Sequence, residues 1–324
     1  MTRAVRIERF GGPEVLELRH VEVPEPGPGQ VRVRHTAIGL NMVDTYYRTG
    51  LYPLSLPSGL GSEAAGRVVA TGEGVAALSA GDRVAYASPA PLDAYSEERL
   101  IDARWLVRLP QAISDETGAA IMLKGLTAWY LLHRSYRVQP GDFVLLYAAA
   151  GGVGLIAAQW AASIGARVIG VVGSEAKREI ALAHGCEAVL LASDDIVARV
   201  RELTGGAGVP VVYDSIGRAT FFQSLDCLRP HGVMVSFGNA SGPVEPFSPL
   251  ELSKRGSLYV TRPTLFDFVR ERAELERGTD ALFRLVSSGA IRIEIGQRWP
   301  LDRVADAHRA LEGRRTTGST VLTP

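Results

Sequence analysis

The fold of the chain is decided by one stretch, which reads Val144-Leu145-Leu146-Tyr147-Ala148-Ala149-Ala150-Gly151-Gly152-Val153-Gly154-Leu155-Ile156. Its apolar first part is typical of a buried strand, and its glycines predict a tight turn that leads into a helix. The alanine-rich run over residues 155–162 favours that helix, and Gly165 is placed to end it. A second apolar strand follows over residues 167–172. The stretch therefore predicts a strand–helix–strand unit.

The glycine turn of this unit has the residues that a phosphate-binding turn needs. It matches the dinucleotide-binding fingerprint G-x-G-x-x-G, except that Ala149 stands at the first glycine position. Backbone N–H groups at the start of a helix attract phosphate, and glycines let the backbone approach it closely. We therefore expect Gly151, Gly152 and Val153 to bind the pyrophosphate of a dinucleotide. The alternative is a glycine turn that only packs a helix against a strand.

Composition limits the class of protein. The length of 324 residues favours two domains, and 46% apolar residues allow sizeable cores. The 35 basic and 35 acidic residues balance, so no net field attracts nucleic acid or a membrane surface. Cys186 and Cys227 form neither a disulfide framework nor a metal cluster. The first residues lack the apolar core of a signal peptide, and no run approaches the ~20 apolar residues of a membrane span. We therefore expect a cytoplasmic protein.

The pattern along the chain predicts an α/β protein with more than one domain. Residues 1–120 are β-rich, with short strands between turn residues, which suggests a small barrel-like domain. From about residue 119 to residue 260 strands alternate with helices, which indicates a parallel sheet with helices on both faces. The last segment is predicted to form a helix over residues 280–288, a strand over residues 291–293 and a helix over residues 304–312. It is too short to fold alone, and we expect it to pack on the first domain.

The predicted parallel sheet also indicates where a ligand binds. Ligands of such sheets bind beyond the carboxyl ends of the strands. This rule places along one crevice residues 150–153, Gly173, Ser215, Gly238 and Asn239.

The end of the second strand of this sheet points to NADPH. Folds that select NAD place an Asp or Glu there, which binds the ribose 2′-hydroxyl. Here the strand leads into Gly173 and Ser174, with no acid at its tip. A 2′-phosphate needs space, hydrogen-bond donors and a cation, which Gly173, Ser174 and Lys177 supply. Two observations favour the opposite interpretation: Glu175 lies nearby, and Lys177 also fits an ordinary solvated residue in the first turn of a helix.

Several motifs resemble those of the zinc-free quinone oxidoreductases, a family of the medium-chain dehydrogenase/reductase superfamily that includes zeta-crystallin. The run Ala148-Ala149-Ala150-Gly151-Gly152-Val153-Gly154 is similar to the family's glycine turn, and Asn41-Met42-Val43-Asp44-Thr45-Tyr46 is a second match. Further matches follow in order over essentially the whole chain, at residues 11–16, 50–53, 123–128, 212–217, 236–239 and 256–263. The chain resembles the bacterial NADPH:quinone reductases.

The resemblance implies a GroES-like β-rich catalytic domain and a Rossmann domain with a doubly wound parallel sheet. We place the GroES-like catalytic domain at residues 1–122, the Rossmann NADPH-binding domain at residues 123–262, and the return to the catalytic domain at residues 263–324. The resemblance also implies a homodimer, with the strand at residues 259–262 near the sheet edge that pairs between subunits.

The resemblance further implies which residues contact NADPH. The residues at matching positions are Asn41, Met42, Tyr46, Tyr130, Gly152, Val153, Gly173, Lys177, Ser215, Phe237, Asn239 and Arg314. With the residues derived above, the cofactor set also includes Gly151, Ser174 and Gly238. One position departs from the family, because close relatives have a tyrosine after the third Rossmann strand, near the adenosine phosphate. This chain has Ala192 there, so a stacking or hydrogen-bonding partner of NADPH is missing.

The ligands of zinc alcohol dehydrogenases, which belong to the same superfamily, are missing from the chain. The first ligand site reads Ala37-Ile38-Gly39-Leu40-Asn41 and has no cysteine, and the next reads Gly61-Ser62-Glu63 and has no histidine before the glutamate. A catalytic zinc needs about three protein ligands and a structural zinc about four. No four-cysteine lobe exists, and the six histidines are dispersed along the chain. We therefore expect no metal site and exclude a zinc alcohol dehydrogenase.

Without a metal to polarise an alcohol, hydride delivery to an electron-poor acceptor is the easier reaction, and the cofactor carries the chemistry. We expect Tyr46 and Tyr52 to line the slot for this acceptor, where either phenol could donate a hydrogen bond or a proton. Asn41 could orient the nicotinamide or the acceptor oxygen. The alternatives are that both tyrosines only wall the pocket, or that Tyr52 is a loop residue without contacts.

Three functions remain open at this stage. The first is an NADPH-dependent quinone reductase, and the second is an NADPH-dependent reductase of α,β-unsaturated carbonyls, which needs the same hydride geometry. The third is a non-catalytic NADPH- or RNA-binding protein. Neutral charge and the absence of a basic stretch interleaved with aromatic residues argue against nucleic acid.

Overall fold

The computed structural model describes all residues of the chain, Met1–Pro324. The strands are β1 (Thr2–Arg6), β2 (Glu17–Val21), β3 (Gln30–Leu40), β4 (Glu63–Thr71), β5 (Arg83–Ala87), β6 (Glu98–Asp102), β7 (Val107–Arg108), β8 (Phe143–Tyr147), β9 (Arg167–Val172), β10 (Cys186–Leu191), β11 (Val209–Asp214), β12 (Leu228–Ser236), β13 (Tyr259–Thr261), β14 (Ile295–Pro300) and β15 (Ser319–Thr323).

The α-helices are α1 (Met42–Arg48), α2 (Asp115–Tyr130), α3 (Gly152–Ile164), α4 (Glu175–Ala183), α5 (Ile196–Leu203), α6 (Phe221–Asp226), α7 (Leu250–Lys254), α8 (Leu265–Phe268), α9 (Arg272–Ser287) and α10 (Val304–Glu312). The chain forms two compact units. The terminal unit comprises Met1–Leu126, Val269–Ser287 and Ile293–Pro324, and the central unit comprises Thr127–Phe268 and Ser288–Arg292. None of these helices combines the length and the apolar character that a membrane span requires.

The terminal unit is built on a sheet with the strand order β14-β15-β3-β4-β5-β7, in which β6 also pairs with β3. A separate antiparallel pair is formed by β1 and β2. Along the first part of β3 the side chains alternate, so that Val31 and Val33 are fully buried while Arg32 and Arg34, which alternate with them, are turned towards the opposite face. Val304 and Ala307 of α10 pack into the same apolar core. The core of this unit therefore joins residues from both ends of the chain.

The central unit is a six-stranded sheet with the order β10-β9-β8-β11-β12-β13, and all of its strand pairs are parallel. Counted within this unit, the order is 3-2-1-4-5-6, which is that of a Rossmann fold. The strands are almost continuously apolar because helices cover the sheet, as in β11, where every residue is buried. The structure thus confirms the predicted α/β class with a Rossmann sheet.

Two predicted elements of the last segment differ from the structure. The strand predicted at residues 291–293 is wrong, because the side chain of Gln159 occupies the backbone groups of Arg292. The Arg292 N–H donates to Gln159 Oε1 at 2.9 Å, and Gln159 Nε2 donates to the Arg292 carbonyl at 3.0 Å. The helix predicted from residue 280 already begins at Arg272. The helix includes Gly278, which is buried on the packed face together with Leu275 and Leu282.

Candidate active site

The glycine turn of the central unit leaves the start of α3 open to an anion. Gly151 caps α3 in an extended conformation, and no side chain hydrogen-bonds to the first turn of the helix. The first N–H groups of a helix have no acceptor within it. Gly154 is required for close packing, since a Cβ there would lie 2.3 Å from the Ala148 carbonyl oxygen. The turn therefore fits the pyrophosphate of a dinucleotide.

The alanine at the first fingerprint position is accommodated by a glycine in the neighbouring strand. Ala149 is fully buried, and its Cβ lies 2.8 Å from the place where a Cβ on Gly170 would stand. The same added Cβ would lie 2.8 Å from Cys186 Sγ. Gly170 thus gives Ala149 the space that a glycine in the turn would not need.

The end of β9 offers space and positive charge. Gly173 and Ser174 are exposed, and no heavy atom lies within 4 Å of a Cβ built on Gly173. Lys177 stands in the first turn of α4, as predicted, and is half-buried. The carboxylate of Glu175 lies 3.2 Å from Arg178 Nη1. The acid closest to the strand end is therefore paired with a cation.

The turn after β11 is held by the buried carboxylate of Asp214. Its Oδ1 accepts the backbone N–H groups of Ile216 and Gly217 at 2.7 and 3.1 Å. Its Oδ2 accepts the hydroxyls of Thr220 and Ser224 at 2.6 and 2.8 Å. Four donors fix the side chain, which in turn ties the backbone of the turn to α6.

The same turn brings the ends of β11 and β12 together. A Cβ on Gly238 would lie 2.4 Å from the Ser215 carbonyl oxygen, so only glycine fits at this position. Ser215 also accepts the N–H of Ala240 at 3.2 Å, and Phe237 donates to the Asp214 carbonyl at 2.8 Å. The predicted residues Ser215, Phe237, Gly238 and Asn239 therefore lie at the carboxyl edge of the sheet, where ligands bind.

Tyr130 ends α2 just before a π-helical turn at Leu131–Ser135. Its ring is buried and stacks on Phe268, with centroids 4.6 Å apart and planes 5° from parallel. Tyr213 of β11 donates a hydrogen bond of 2.7 Å to the Leu131 carbonyl, which satisfies a backbone group in this turn. Single π turns occur frequently at functional sites.

In the terminal unit, Asn41 belongs to a buried polar cluster with Glu63 and Lys124. Glu63 Oε1 accepts from Asn41 Nδ2 at 2.9 Å and from Lys124 Nζ at 2.6 Å, while Oε2 accepts the Leu123 N–H at 2.7 Å. Glu63 is fully buried, and Lys124 and Asn41 are 5% and 4% exposed. A carboxylate only accepts, so Asn41 presents Nδ2 to Glu63 and directs Oδ1 elsewhere.

This cluster joins the two segments, at residues 37–41 and 61–63, in which the sequence lacks a cysteine and a histidine for zinc. Asn41 and Glu63 are hydrogen-bonded to each other, and the ammonium of Lys124 lies 2.6 Å from the Glu63 carboxylate. Gly39 makes room for the carboxylate, since a Cβ there would lie 2.3 Å from Glu63 Oε1. No three His, Cys, Asp or Glu side chains in the chain come together in a way that could hold a metal ion.

The two predicted tyrosines lie together with a third. Tyr46 is buried in α1, and its ring centroid is 5.3 Å from that of Tyr52 at an interplanar angle of 64°. Tyr47 meets the same Tyr52 ring edge-on at 5.6 Å. The Tyr52 N–H also donates to the Tyr46 carbonyl at 3.1 Å. The alternative in which Tyr52 has no contacts is therefore wrong.

A network of buried hydrogen bonds connects α1 with Tyr95 and with α10. Asp44 Oδ2 accepts the Asn41 N–H at 2.9 Å and the Tyr95 hydroxyl at 2.8 Å. The Tyr95 oxygen then accepts from His308 Nε2 at 3.1 Å, and His308 Nδ1 accepts from Arg48 Nη1 at 2.9 Å. This sequence of donors and acceptors requires neutral His308 with its proton on Nε2.

Burial shifts the pKa values of Asp44 and His308 in this hydrogen-bond network. Burial raises the pKa of Asp44 to about 7, although hydrogen bonds from Tyr95 and the Asn41 N–H oppose the shift. Burial and the charge of Arg48 lower the pKa of His308 to about 3. Arg48 is 1% exposed and forms a bidentate pair with Glu312 at 3.0 and 2.7 Å. Within this hydrogen-bond network, the positive charge is therefore carried by Arg48 and not by His308.

The two remaining predicted residues both lie in the terminal unit. Met42 begins α1 next to Asn41, and Arg314 lies in an exposed turn after α10 with a φ of 55°. Sequence reasoning missed Lys124, Asp44, Tyr95 and His308. The motifs at residues 41–46 and 123–128 contain two of these residues, but only burial distinguishes them from surface charges.

Two family models match the chain, one for each type of domain. The model of the alcohol dehydrogenase GroES-like domain matches residues 27–111, and the model of the zinc-binding dehydrogenase matches residues 152–280. A quinone oxidoreductase of Pseudomonas aeruginosa is 52% identical over 100% of both chains. A 2-haloacrylate reductase of a Burkholderia species is 46% identical over 100% of this chain and 99% of the relative.

A solved structure agrees with these relatives. The crystal structure of Escherichia coli quinone oxidoreductase complexed with NADPH is 48% identical, with a TM-score of 0.98 over 99% of this chain and 100% of that chain. Sequence identity of this level over the full length, together with a Rossmann unit and a GroES-like unit, identifies the family. The chain belongs to the quinone oxidoreductase family of the medium-chain dehydrogenase/reductase superfamily.

Proposed function

We propose that this chain is an NADPH-dependent quinone oxidoreductase that works without a metal. The observation that carries the proposal is the full-length similarity, at 48% identity, to an E. coli quinone oxidoreductase crystallised with NADPH. The open start of α3 and the acid-free end of β9 support a dinucleotide that carries a 2′-phosphate.

The cofactor is held by the chain's own residues in distinct roles. Gly151, Gly152 and Val153 bind the pyrophosphate through backbone N–H groups, and Gly173, Ser174 and Lys177 bind the 2′-phosphate. The remaining contacts come from Asn41, Met42, Tyr46, Tyr130, Ser215, Phe237, Gly238, Asn239 and Arg314. Asp214 supports this set by fixing the turn that contains Ser215.

The reaction needs one hydride and one proton. A quinone becomes a hydroquinone by taking a hydride from the dihydronicotinamide of bound NADPH and a proton from a phenol or water. Tyr46 and Tyr52 provide an aromatic wall for the quinone and two hydroxyl donors. Asn41, held by Glu63, orients the reactants through its amide.

A second candidate is the reduction of an activated carbon–carbon double bond. The observation that favours it is the 2-haloacrylate reductase relative at 46% identity, close in similarity to the quinone oxidoreductases. An α,β-unsaturated acid or carbonyl accepts hydride at its β carbon and a proton at its α carbon, so the same cofactor position serves both reactions.

The test follows NADPH oxidation with and without 1,4-benzoquinone, with NADH in parallel and with 2-chloroacrylate and an alkenal as competing acceptors. We expect quinone-dependent oxidation with a clear preference for NADPH. Turnover of the alkenal or 2-chloroacrylate that exceeds quinone turnover by a large factor would replace the proposal with the second candidate. No oxidation with any acceptor would refute both.

We also infer a cytoplasmic homodimer. Both cysteines are free and buried, which suits a reducing compartment. The strand β13 is the edge of the central sheet, and Tyr259 on it is 61% exposed. An exposed edge strand with an apolar side chain favours pairing with a second copy.

A further inference from the structure

Phe10 and Leu51 are two large apolar side chains that the terminal unit leaves in contact with solvent. They are 41% and 39% exposed. Single exposed apolar residues are common on protein surfaces, but adjacent ones form a patch that indicates contact with a ligand or a partner. The Phe10 ring lies against Gly50, since its Cγ is 2.9 Å from the place of a Cβ on that glycine. Leu51 is the next residue, so Phe10 and Leu51 form one patch, which we call the apolar lip.

The apolar lip continues the aromatic cluster of the proposed acceptor slot. Tyr46 is 8% exposed, and its ring contacts that of Tyr52, which is half-buried. Tyr47 contacts the Tyr52 ring edge-on. Leu51 directly precedes Tyr52 in the chain. Exposure therefore increases from Tyr46 through Tyr52 to the lip, and apolar surface extends from the slot to the solvent.

Both segments of the lip are fixed to α1, the helix that carries Tyr46. The Gly11 N–H donates to the Arg48 carbonyl at 3.2 Å, and Arg48 Nε donates to the Gly11 carbonyl at 3.0 Å. On the other side, the Tyr52 N–H donates to the Tyr46 carbonyl at 3.1 Å. These bonds order the lip before a ligand arrives, so binding a ligand there costs less entropy.

The charged residues beside the lip are balanced, which argues against a charged ligand. Backbone hydrogen bonds lower the pKa of Glu14, and the charges of Arg9 and Arg48 contribute to this shift. Arg48 itself forms a bidentate pair with Glu312. An apolar surface whose neighbouring charges compensate each other favours a neutral, apolar group.

We propose that the acceptor is a quinone with an apolar chain, and that Phe10 and Leu51 bind this chain while the ring is reduced in the slot. The inference rests on the proposed function. The quinone ring lies beside Tyr46 and Tyr52, and the chain leaves the slot along the lip. A fully buried methylene group raises affinity about four-fold, and a lip that faces solvent buries part of each one.

The test compares 2-ethyl-, 2-pentyl- and 2-decyl-1,4-benzoquinone at saturating NADPH. The length of an alkyl chain changes the reactivity of the ring little, so differences in kcat/KM report how the chain binds. We expect kcat/KM to rise about ten-fold from the ethyl to the decyl quinone, through a lower KM at a similar kcat. The double variant Phe10→Ser/Leu51→Ser should reduce this gain to about two-fold or less.

Two further variants serve as controls. Phe10→Leu keeps an apolar side chain and should keep most of the gain, whereas a requirement for the phenyl ring in folding of the loop would remove it. Leu182→Ser is the matched control, since Leu182 is 41% exposed and lies on α4 of the central unit. It should leave the ratio of the decyl to the ethyl quinone unchanged.

The outcomes separate this inference from the proposed function. Equal kcat/KM for the three quinones in wild type, or a gain that survives in the double variant, would overturn the inference and leave quinone reduction in place. No reduction of any quinone would overturn the proposed function. Titration calorimetry with 2-decyl- and 2-ethyl-1,4-dimethoxybenzene, which cannot be reduced, tests the lip without turnover. A preference for the decyl compound that the double variant removes would support the lip, and equal binding would refute it.

Discussion

Glu63 and Lys124 form a buried ion pair, in which the carboxylate and the ammonium are 2.6 Å apart. Glu63 is fully buried, and Lys124 is 5% exposed. Transfer of two charges from water costs several kcal/mol per ion, which their attraction and further hydrogen bonds offset. The Leu123 N–H and Asn41 Nδ2 supply those hydrogen bonds. The pair therefore determines the orientation of the Asn41 amide more than it adds to stability.

Removing one charge of this pair should destabilise the protein more than removing both. Glu63→Gln leaves the ammonium buried without its partner, and Lys124→Met leaves the carboxylate, so each should lower the free energy of unfolding by about 3–5 kcal/mol. The double variant Glu63→Gln/Lys124→Met should recover most of that loss. Chemical denaturation of the four proteins measures this cycle. Strictly additive losses would show that the two charges do not interact.

At the glycine turn, a prediction concerns the contact between Ala149 and Gly170. Gly170→Ala places a methyl group 2.8 Å from both Ala149 Cβ and Cys186 Sγ, and such overpacking should cost about 1–3 kcal/mol. Adding Ala149→Gly removes one of the two clashes and should recover part of the loss. Gly173→Ala is the control, since open space surrounds that position. Equal stability of Gly170→Ala and wild type in urea would contradict the packing argument.

Between elements, α1 and α10 are joined by polar contacts in the interior of the terminal unit. Arg48 of α1 hydrogen-bonds to His308 and Glu312 of α10. Asp44 of α1 is connected to His308 through Tyr95 in the same buried hydrogen-bond network. Each buried polar atom in this network needs a hydrogen-bond partner, which its neighbours in the network supply. The position of α1, and with it of Tyr46, therefore depends on residues close to the end of the sequence.

The low pKa of His308 predicts a loss of stability in acid. The pKa of the folded state is about 3 and the unfolded value is 6.5, so the unfolded state binds the proton first as the pH falls below 6.5. Between pH 7 and pH 5 this should cost about 2 kcal/mol of unfolding free energy. His308→Gln keeps an acceptor for Arg48 and a donor for Tyr95 but cannot titrate.

The comparison of wild type and His308→Gln isolates this contribution from other groups. His35 adds a loss of the same sign, because its pKa is lowered to about 4 by burial. Asp44 acts in the opposite direction, since its raised pKa lets the folded state hold a proton between pH 4 and pH 7. Denaturation at pH 5, 6 and 7 measures the free energy of unfolding of wild type and of His308→Gln. The two values should converge or cross as the pH falls. Parallel pH dependences of the two proteins would refute the assignment.

For the whole molecule, the assembly of two copies is the prediction with the widest consequence. An edge strand exposes unpaired backbone groups, and pairing of β13 with the same strand of a second copy would join two six-stranded sheets. Light scattering should give the mass of a dimer for wild type. Tyr259→Asp places a charge on this edge and should shift the protein towards monomer.

The control for this prediction is Leu182→Asp, since Leu182 is an exposed leucine of the same unit that lies on α4. It should leave the dimer intact. A monomeric wild type would refute the inferred dimer, and a dimer unaffected by Tyr259→Asp would place the interface elsewhere.

The sequence by itself determined the Rossmann unit, its glycine turn and the family. These features depend on local patterns, in which apolar runs form buried strands and glycine follows where the backbone turns. The helix over residues 304–312 and the strand over residues 167–172 agree with the structure for the same reason. The strand predicted at residues 291–293 failed because Gln159, 133 residues away, occupies the Arg292 backbone.

Only the tertiary structure decided which polar residues support the candidate site. Asn41 and Glu63 are 22 residues apart, Glu63 and Lys124 are 61 apart, and Tyr95 and His308 are 213 apart. The sequence does not show whether a glutamate or histidine is solvated or fully buried, and its periodicity does not reveal the residue's hydrogen-bond partner. Burial gives these charges their effect, because the cost of desolvation requires each one to find a specific donor or acceptor.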